Sequence, residues 1–147
     1  MKVVNDFAEY QLLDMAKGKK LEKWNDVILL RPDPQIIWEE HLSKENYAID
    51  AIYDRSSSGG GTWNIKNKKL QDSWVISYQD LKFGLKLMGF KHTGLFPEQA
   101  YNWNLIREKI RKANRPVKVL NLFAYTGGAS IAALKENASV VHVDASR

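Results

Sequence analysis

Two short apolar runs separated by a pair of glycines constrain this chain more than anything else in it. Val117-Lys-Val-Leu-Asn-Leu-Phe123 and Ser139-Val-Val-His-Val143 are mostly aliphatic, the texture of strands buried on both faces of a parallel sheet. Between them, Phe123-Ala-Tyr-Thr-Gly-Gly-Ala-Ser130 turns the chain. Ala129–Asn137 then offers Ile131, Ala132 and Leu134 for burial on a short helix. Strand, glycine turn, helix, strand is a βαβ unit, whose crossover is right-handed almost by rule. A ligand of such a unit lies at the carboxyl ends of the strands. Gly127 and Gly128 fall there, with no Cβ where a ligand approaches or where φ turns positive. Asp144 also falls there, directly after the second strand and 17 residues beyond Gly127. That is close to the roughly 20 residues that separate a glycine turn from its ribose-binding acid. A carboxylate so placed can accept hydrogen bonds from both ribose hydroxyls of a nucleoside.

Dinucleotide-binding folds share this acid and have to be weighed. Their fingerprint is G-x-G-x-x-G, with a pyrophosphate on the helix N-terminus. Here the adjacent Gly127-Gly128 is followed by Ala129-Ser130, which does not supply three separate glycine roles. S-adenosylmethionine (SAM) carries no pyrophosphate and tolerates a looser turn. The pattern favours SAM, with nicotinamide or flavin binding and a non-catalytic βαβ fold as the other readings.

Upstream the texture changes. Pro97 suits the first turn of a helix and Glu98 its positive end. Ala100, Trp103, Ile106, Ile110 and Ala113 recur at helical spacing until Asn114-Arg-Pro116 stops the pattern. The polar side carries Arg107, Lys109, Arg111 and Lys112, with Arg115 just beyond. These charges read as a solvated face or as an RNA contact. Before about residue 90 the chain reads as short strands and turns. Tyr10–Asp14, Val27–Leu30, Ala48–Tyr53, Trp74–Tyr78 and Leu81–Phe90 are strand candidates. Lys17-Gly-Lys-Lys20 reads as a basic turn, and Arg31-Pro-Asp-Pro34 ends the second strand. Ser56-Ser-Ser-Gly-Gly-Gly61 reads as a hairpin tip before Trp63, although its amides could cradle a phosphate.

Composition narrows the function classes. A hydrophobic share of 44% with 11% aromatic residues belongs to a globular chain. The longest apolar run is far too short to span a bilayer, and MKVVNDFAEY lacks the apolar core of a signal peptide. With no cysteine there is no disulfide framework and no thiolate metal site, so the cytoplasm is the expected compartment. A net charge of +5 favours a polyanionic partner without naming one. His41, His92 and His142 are scattered, without a second ligand at coordination spacing, and read as packed or surface residues; no metal is expected. Trp24, Trp38, Trp63, Trp74 and Trp103 could stack on bases, but read first as core and rim.

The runs Val119-Leu-Asn-Leu-Phe-Ala-Tyr-Thr-Gly-Gly-Ala-Ser130 and Val140-Val-His-Val-Asp-Ala-Ser146 resemble the SAM-binding motifs of the class I ribosomal-RNA large-subunit methyltransferase family, which includes cytosine-C5 enzymes. Phe90-Lys-His-Thr-Gly-Leu-Phe-Pro-Glu-Gln-Ala100 is similar to the segment leading into the catalytic domain there. Arg31-Pro-Asp-Pro34 and Tyr53-Asp-Arg55 through Trp63 are similar to the small β-rich domain that precedes it, so the resemblance covers nearly the whole chain.

The resemblance implies SAM-dependent methyl transfer, with RNA as the acceptor. Phe123, Tyr125, Thr126 and Gly127 would line the cofactor's methionine and sugar portions, and Asn121 is counted among the cofactor-binding residues. Asp144 would hold its ribose, with Ala145 and Ser146 beside the adenine. Thr93, Gly94 and Gln99 fall on the segment that closes over the cofactor in relatives, although a turn before a helix also explains Thr93–Glu98. The expected fold is α+β, a small β-rich domain over residues 1–90 followed at 91–147 by the start of a Rossmann-like methyltransferase domain. The family's substrate-side motif, an Asn/Asp-Pro-Pro-aromatic run or a catalytic cysteine, does not occur here, so no catalytic residue is assigned. The expectation is the N-terminal portion of a longer enzyme, with apolar strand faces left uncovered. The other reading is a non-catalytic RNA-binding module; the oligomeric state stays open. The isolated 147-residue chain is predicted to show no methyl transfer to bulk RNA, and turnover in a radiolabelled-SAM assay would contradict this.

Overall fold

The computed structural model describes residues 3–40 and 46–145. Ser146, assigned to the adenine side, and His41 lie outside the described residues. Five strands form the first sheet: β1 (Tyr10–Ala16), β2 (Lys19–Trp24), β3 (Val27–Pro32), β4 (Ala51–Arg55) and β5 (Gly61–Ile65), in that spatial order. Neighbours are antiparallel except β3 and β4, which run parallel with Leu29 opposite Ala51. A hairpin of β6 (Ser73–Tyr78) and β7 (Leu81–Lys86) follows, then a 3-10 turn (Pro97–Gln99) and helix α1 (Ala100–Ala113). Strand β8 (Lys118–Leu122), helix α2 (Gly128–Leu134) and β9 (Ser139–Val143) complete the order, with β8 and β9 parallel and in register from Lys118–Ser139 to Leu122–Val143. Among the described residues, no helix is long and apolar enough to cross a membrane.

Two strands were hidden in the sequence. Lys17 (φ 50°) and Gly18 (φ 68°) make a tight left-handed turn, and β2 begins at Lys19 where more turn was expected. Its Lys-Lys-Leu-Glu-Lys-Trp carries only two apolar residues, so its charge masks the period of two. Leu21 and Trp24 are nonetheless fully buried. The hairpin tip at Ser56–Gly60 is present, and the return strand β5, Gly-Thr-Trp-Asn-Ile, alternates over too few residues to stand out beside the tip. Elsewhere the elements differ from expectation by a few residues. The period-two run from Leu81 stops as a strand at Lys86.

The main core is aromatic and crosses the line between the β-rich part and the βαβ unit. Phe7, Trp24, Leu29, Ile76, Tyr78, Phe83 and Leu85 pack with Leu95, Trp103 and Ala132. Phe83 and Trp103 lie with centroids 4.9 Å apart and Phe7 lies 4.7 Å from Tyr78, distances at which aromatic pairs add to simple area burial. Trp24 and Trp103 thus belong to the core, as their size favours.

The strands of the βαβ unit depart from the both-faces expectation. One side packs Val119 and Val140 with Ile110, Ala133 and Ala138 under α1 and α2. The other presents Leu120, Leu122, Val141 and Val143 at the surface, the uncovered apolar face that the sequence also foretold.

A carboxylate and a guanidinium are buried inside the first sheet. Glu22 is 0% exposed and Arg31 is 6% exposed. Arg31 donates from Nε to Glu22 Oε2 at 2.6 Å and from Nη2 to Oε1 at 2.8 Å, a bidentate pair. Tyr10 donates its hydroxyl to Glu22 Oε1 at 2.9 Å, and Arg31 Nη1 donates to the Lys91 carbonyl at 2.9 Å. Arg31 also lies over the Trp24 ring, 5.3 Å from its centroid. Burial alone would lower the guanidinium's pKa, but the hydrogen bonds and charge of Glu22 hold it above its ordinary value. Burial, then Glu22, pushes the Tyr10 phenol well above the usual range. Replacing Glu22 by Leu strands Arg31 as a buried lone charge and is expected to lower stability by about 3–5 kcal/mol. The double replacement Glu22→Leu with Arg31→Met is expected to recover most of that loss in urea unfolding. A double variant no more stable than the single one would show that the charge pair is not the cause.

Candidate cofactor site

The turn after β8 is a run of unusual backbone. Phe123 (φ 56°), Tyr125 (φ 51°) and Gly127 (φ 92°) all take positive φ, which is costly for the two aromatic residues and natural for the glycine. The turn is tied to β9 as well as to itself. Ala124 N–H donates to the Val143 carbonyl at 3.0 Å and Gly127 N–H to the Ala124 carbonyl at 2.9 Å. Asp144 Oδ2 accepts from the Tyr125 N–H at 2.6 Å. The acid at the end of the second strand is therefore held against the turn at the end of the first.

The paired glycines have separate jobs. A Cβ on Gly127 would approach His142 Cε1 at 3.3 Å in a φ range that side chains rarely adopt. A Cβ on Gly128 would sit 3.1 Å from the indole of Trp103, so the first turn of α2 is seated directly on α1. Beneath the turn, Asn121 Nδ2 donates to Ser130 Oγ at 2.9 Å, and Ser130 Oγ lies 2.9 Å from His142 Nδ1. A serine oxygen that accepts from Asn121 keeps its own proton to donate, which fits a His142 tautomer protonated at Nε2. This small polar ladder couples β8, α2 and β9 beside the glycines.

A second segment reaches the turn from before α1. Thr126 donates its hydroxyl to the Gly94 carbonyl at 2.6 Å. The rings of Phe96 and Tyr125 lie 5.0 Å apart, and His92 borders both at 5.8 and 6.4 Å. Burial holds the His92 imidazole below its ordinary pKa, and the charges of Arg31 and Lys91 push it the same way; the ring is neutral at neutral pH. Burial likewise raises the Tyr125 phenol.

Between these segments lies a cleft of about 330 Å³, at the small end of ligand sites. Of the residues singled out from sequence, it brings together Gln99, Asn121, Phe123, Tyr125 and Thr126. Gly94 adjoins it through Thr126, Gly127 shapes the turn, and Asp144 joins through the Tyr125 amide. Ala145 follows Asp144 at the surface. Thr93 is buried and does not line the cleft; its hydroxyl has no hydrogen-bond partner. Gln99 is turned toward its own helix, accepting from Asn102 Nδ2 at 2.8 Å.

Sequence reasoning missed Leu95, Phe96 and Trp103 as cleft-lining residues, and Ser130 and His142 as the support beneath. Trp103 carried only a core signal, because a helical period does not say which ligand lies past the far edge of a ring. Among the described residues, no three His, Asp or Glu side chains stand together as metal ligands.

The basic face of α1 is partly ion-paired. Arg107 bonds Glu136 and Asp80, each at 2.6 Å, Arg111 lies 3.3 Å from Glu136, and Lys112 pairs with Glu108 one turn back.

A βαβ unit with a glycine turn, an acid at the end of its second strand and a cleft between them is the site of a nucleoside-cofactor protein. The profile of the family described as S-adenosylmethionine-dependent methyltransferase matches residues 51–147, and the chain belongs to that family. It is 28% identical over 145 residues to the ribosomal RNA large subunit methyltransferase K/L of Pseudoalteromonas atlantica, covering 98% of this chain and 19% of that protein. The protein of the same name from Shewanella sp. strain W3-18-1 is 44% identical over 102 residues, 69% of this chain and 14% of its own length. The crystal structure of the SAM-dependent methyltransferase from Agrobacterium tumefaciens superposes with a TM-score of 0.86 at 36% identity, covering 95% of this chain and 45% of that one. The chain thus spans less than half the length of these relatives. The α+β reading, with a β-rich part leading into a Rossmann-like βαβ unit, agrees with that likeness.

Gly127→Val is expected to lower stability by about 1–3 kcal/mol, because it combines a strained φ with overpacking against His142. Gly89, with open space around its missing Cβ, is the control: Gly89→Ala is expected to stay within about 0.5 kcal/mol. Equal urea midpoints for the two variants would show that the turn is not tightly held.

Proposed function

We propose that this chain binds SAM in the cleft beside Gly127 and serves methyl transfer to RNA, of the kind named for its large-subunit ribosomal relatives. The observation that carries the reading is the Asp144–Tyr125 bond, which brings the acid to the glycine turn at the carboxyl ends of β8 and β9. A carboxylate has about four acceptor positions over two oxygens, so Asp144 can accept ribose hydroxyls as well as the turn amide. Asn121, Phe123, Tyr125, Thr126 and Gly127 take the sugar and methionine side, with Gly94 and Gln99 on the closing segment and Thr93 supporting it from within. Ala145 and Ser146 take the adenine side.

When bound, SAM supplies an electrophilic methyl group on a sulfonium. The chain's own residues suit such a cation: the aromatic rings of Phe96 and Tyr125 offer negative faces, and a neutral His92 adds no positive charge beside them. No described residue is assigned as base or nucleophile.

The division of labour we infer gives residues 91–147 to the cofactor and residues 1–90 to the substrate side, even though the two share one core. RNA as partner is supported by the relatives' names and the net charge, and the cytoplasm is the compartment we propose with it. The non-catalytic alternative drew on the β-rich domain and the basic helix α1, and the ion pairs on α1 weaken the second half of it.

Titration of the chain with S-adenosylhomocysteine in a calorimeter is expected to give weak but measurable binding. Asp144→Ala is expected to weaken it at least tenfold, about 1.4 kcal/mol, without loss of fold by circular dichroism. No heat from the wild-type chain, or equal affinity in the variant, would count against the reading.

A further inference from the structure

The surface best suited to a polyanion lies away from helix α1, where Arg107, Arg111 and Lys112 are each held by a carboxylate. At the end of β4, Arg55 is exposed, and among the described residues no carboxylate lies within ion-pair distance of it. Lys91 shares a small hollow with it, together with Tyr53, Gly60 and Phe90. Burial holds the Lys91 ammonium below the usual lysine range; the charges of Lys20, Arg31 and Arg55 push the same way and Asp33 opposes them. Asp33 is itself 3.5 Å from Lys20, so it is shared. The neighbourhood is short of negative charge.

Phe90 stands on the rim of this hollow and is 72% exposed. It takes φ 56° and Lys91 takes φ 66°, in a turn closed by the His92 N–H to Gly89 carbonyl bond at 3.3 Å. A bulky aromatic residue is poorly suited to that conformation, and here no burial offsets the cost. An unfavourable residue kept in an exposed, strained position points to contact with something else. The floor of the hollow adds a second, independent sign. Tyr53 is only 5% exposed and its hydroxyl is buried without a hydrogen-bond partner. Its ring is pressed so closely on Gly61 that a Cβ there would come within 2.8 Å of it.

We propose that this hollow holds one unpaired nucleotide of an RNA substrate, with the base stacked on Phe90 and its phosphate between Arg55, Lys91 and the Tyr53 hydroxyl. At about 70 Å³ the hollow has room for only a few water-sized groups, which suits a phosphate and leaves the base outside, on the exposed ring. A guanidinium and an ammonium supply the charge, the phenol supplies a neutral donor, and the bare backbone at Gly60 lets the phosphate approach. Stacking on an aromatic ring with cations along the backbone is how single strands are held without sequence readout. The glycine-rich tip is then the wall of a binding site as well as a turn. This rests on the RNA reading above and adds a site distinct from the cofactor cleft, with which it shares no lining residue.

The test is fluorescence anisotropy of a labelled single-stranded RNA of about ten nucleotides, within the span such sites cover, on the 147-residue chain. Phe90→Asn relieves the strained φ, since Asn tolerates it, and is expected to keep or raise the melting temperature while weakening RNA binding about tenfold. Phe90→Trp is expected to retain binding. Arg55→Gln is expected to weaken binding and flatten the slope of log K against log salt by about 0.7. Calorimetry with S-adenosylhomocysteine, run alongside, is expected to be the same for all three variants. RNA affinity within twofold of wild type in Phe90→Asn, no RNA binding by the wild-type chain, or equal competition by an acidic peptide would overturn the proposal. If cofactor binding fails while RNA binding still depends on Phe90, the methyltransferase reading falls and this site stands.

Discussion

The Glu22–Arg31 pair is the interaction on which the arrangement of the rest depends. Two full charges removed from water are tolerated only because each finds geometry that water would otherwise supply. Glu22 accepts from Arg31 twice and from Tyr10, while Arg31 keeps one nitrogen for the Lys91 carbonyl. The pair spans β2 and β3, recruits β1 through Tyr10, and holds the turn that precedes the cofactor segment. From there the chain runs through His92, Thr93 and Gly94 to the clasp on Thr126. A charge pair inside the β-rich part thus sets the start of the segment that borders the cofactor cleft.

The other fixed point is where α1 meets the glycine turn. Trp103 packs on Phe83 from the hairpin and lies under Gly128. The indole therefore belongs at once to the core and to the base of the site. Any larger residue at position 128 would lift the start of α2 from α1, and with it the amides that shape the turn. Ser130, His142 and Asn121 brace the same turn from the strand side. The cleft is pre-formed because rigid neighbours hold its backbone on both sides.

Most of the βαβ unit was legible in the chain itself, because its signals are local: aliphatic runs, a glycine pair and an acid at a defined distance. The strands that escaped notice are β2, charged at most positions, and β5, five residues long directly after a glycine run. Glu22 shows the limit. In sequence it is one charge in a basic run; in the fold it is fully buried, because Arg31, opposite Lys20 on the next strand, reaches it diagonally. The site was legible to the same degree. Gly127 and Asp144 follow from position after a strand and Tyr125 and Thr126 only from the family resemblance, whereas Phe96, Ser130 and His142 come into place only when separate elements meet.

The sequence by itself pointed to the class of cofactor, since a glycine turn without the three-glycine fingerprint, followed by an acid after the second strand, favours SAM over a dinucleotide. It also determined that the β-rich part comes first and the βαβ unit second. Only the tertiary structure decided which cations are spent. The arginines of α1 are satisfied by Asp80 and Glu136, while Arg55 is not, and no local pattern distinguishes them. The physical reason is that hydrophobic periodicity and turn chemistry are properties of neighbours in the chain, whereas charge compensation is a property of neighbours in space.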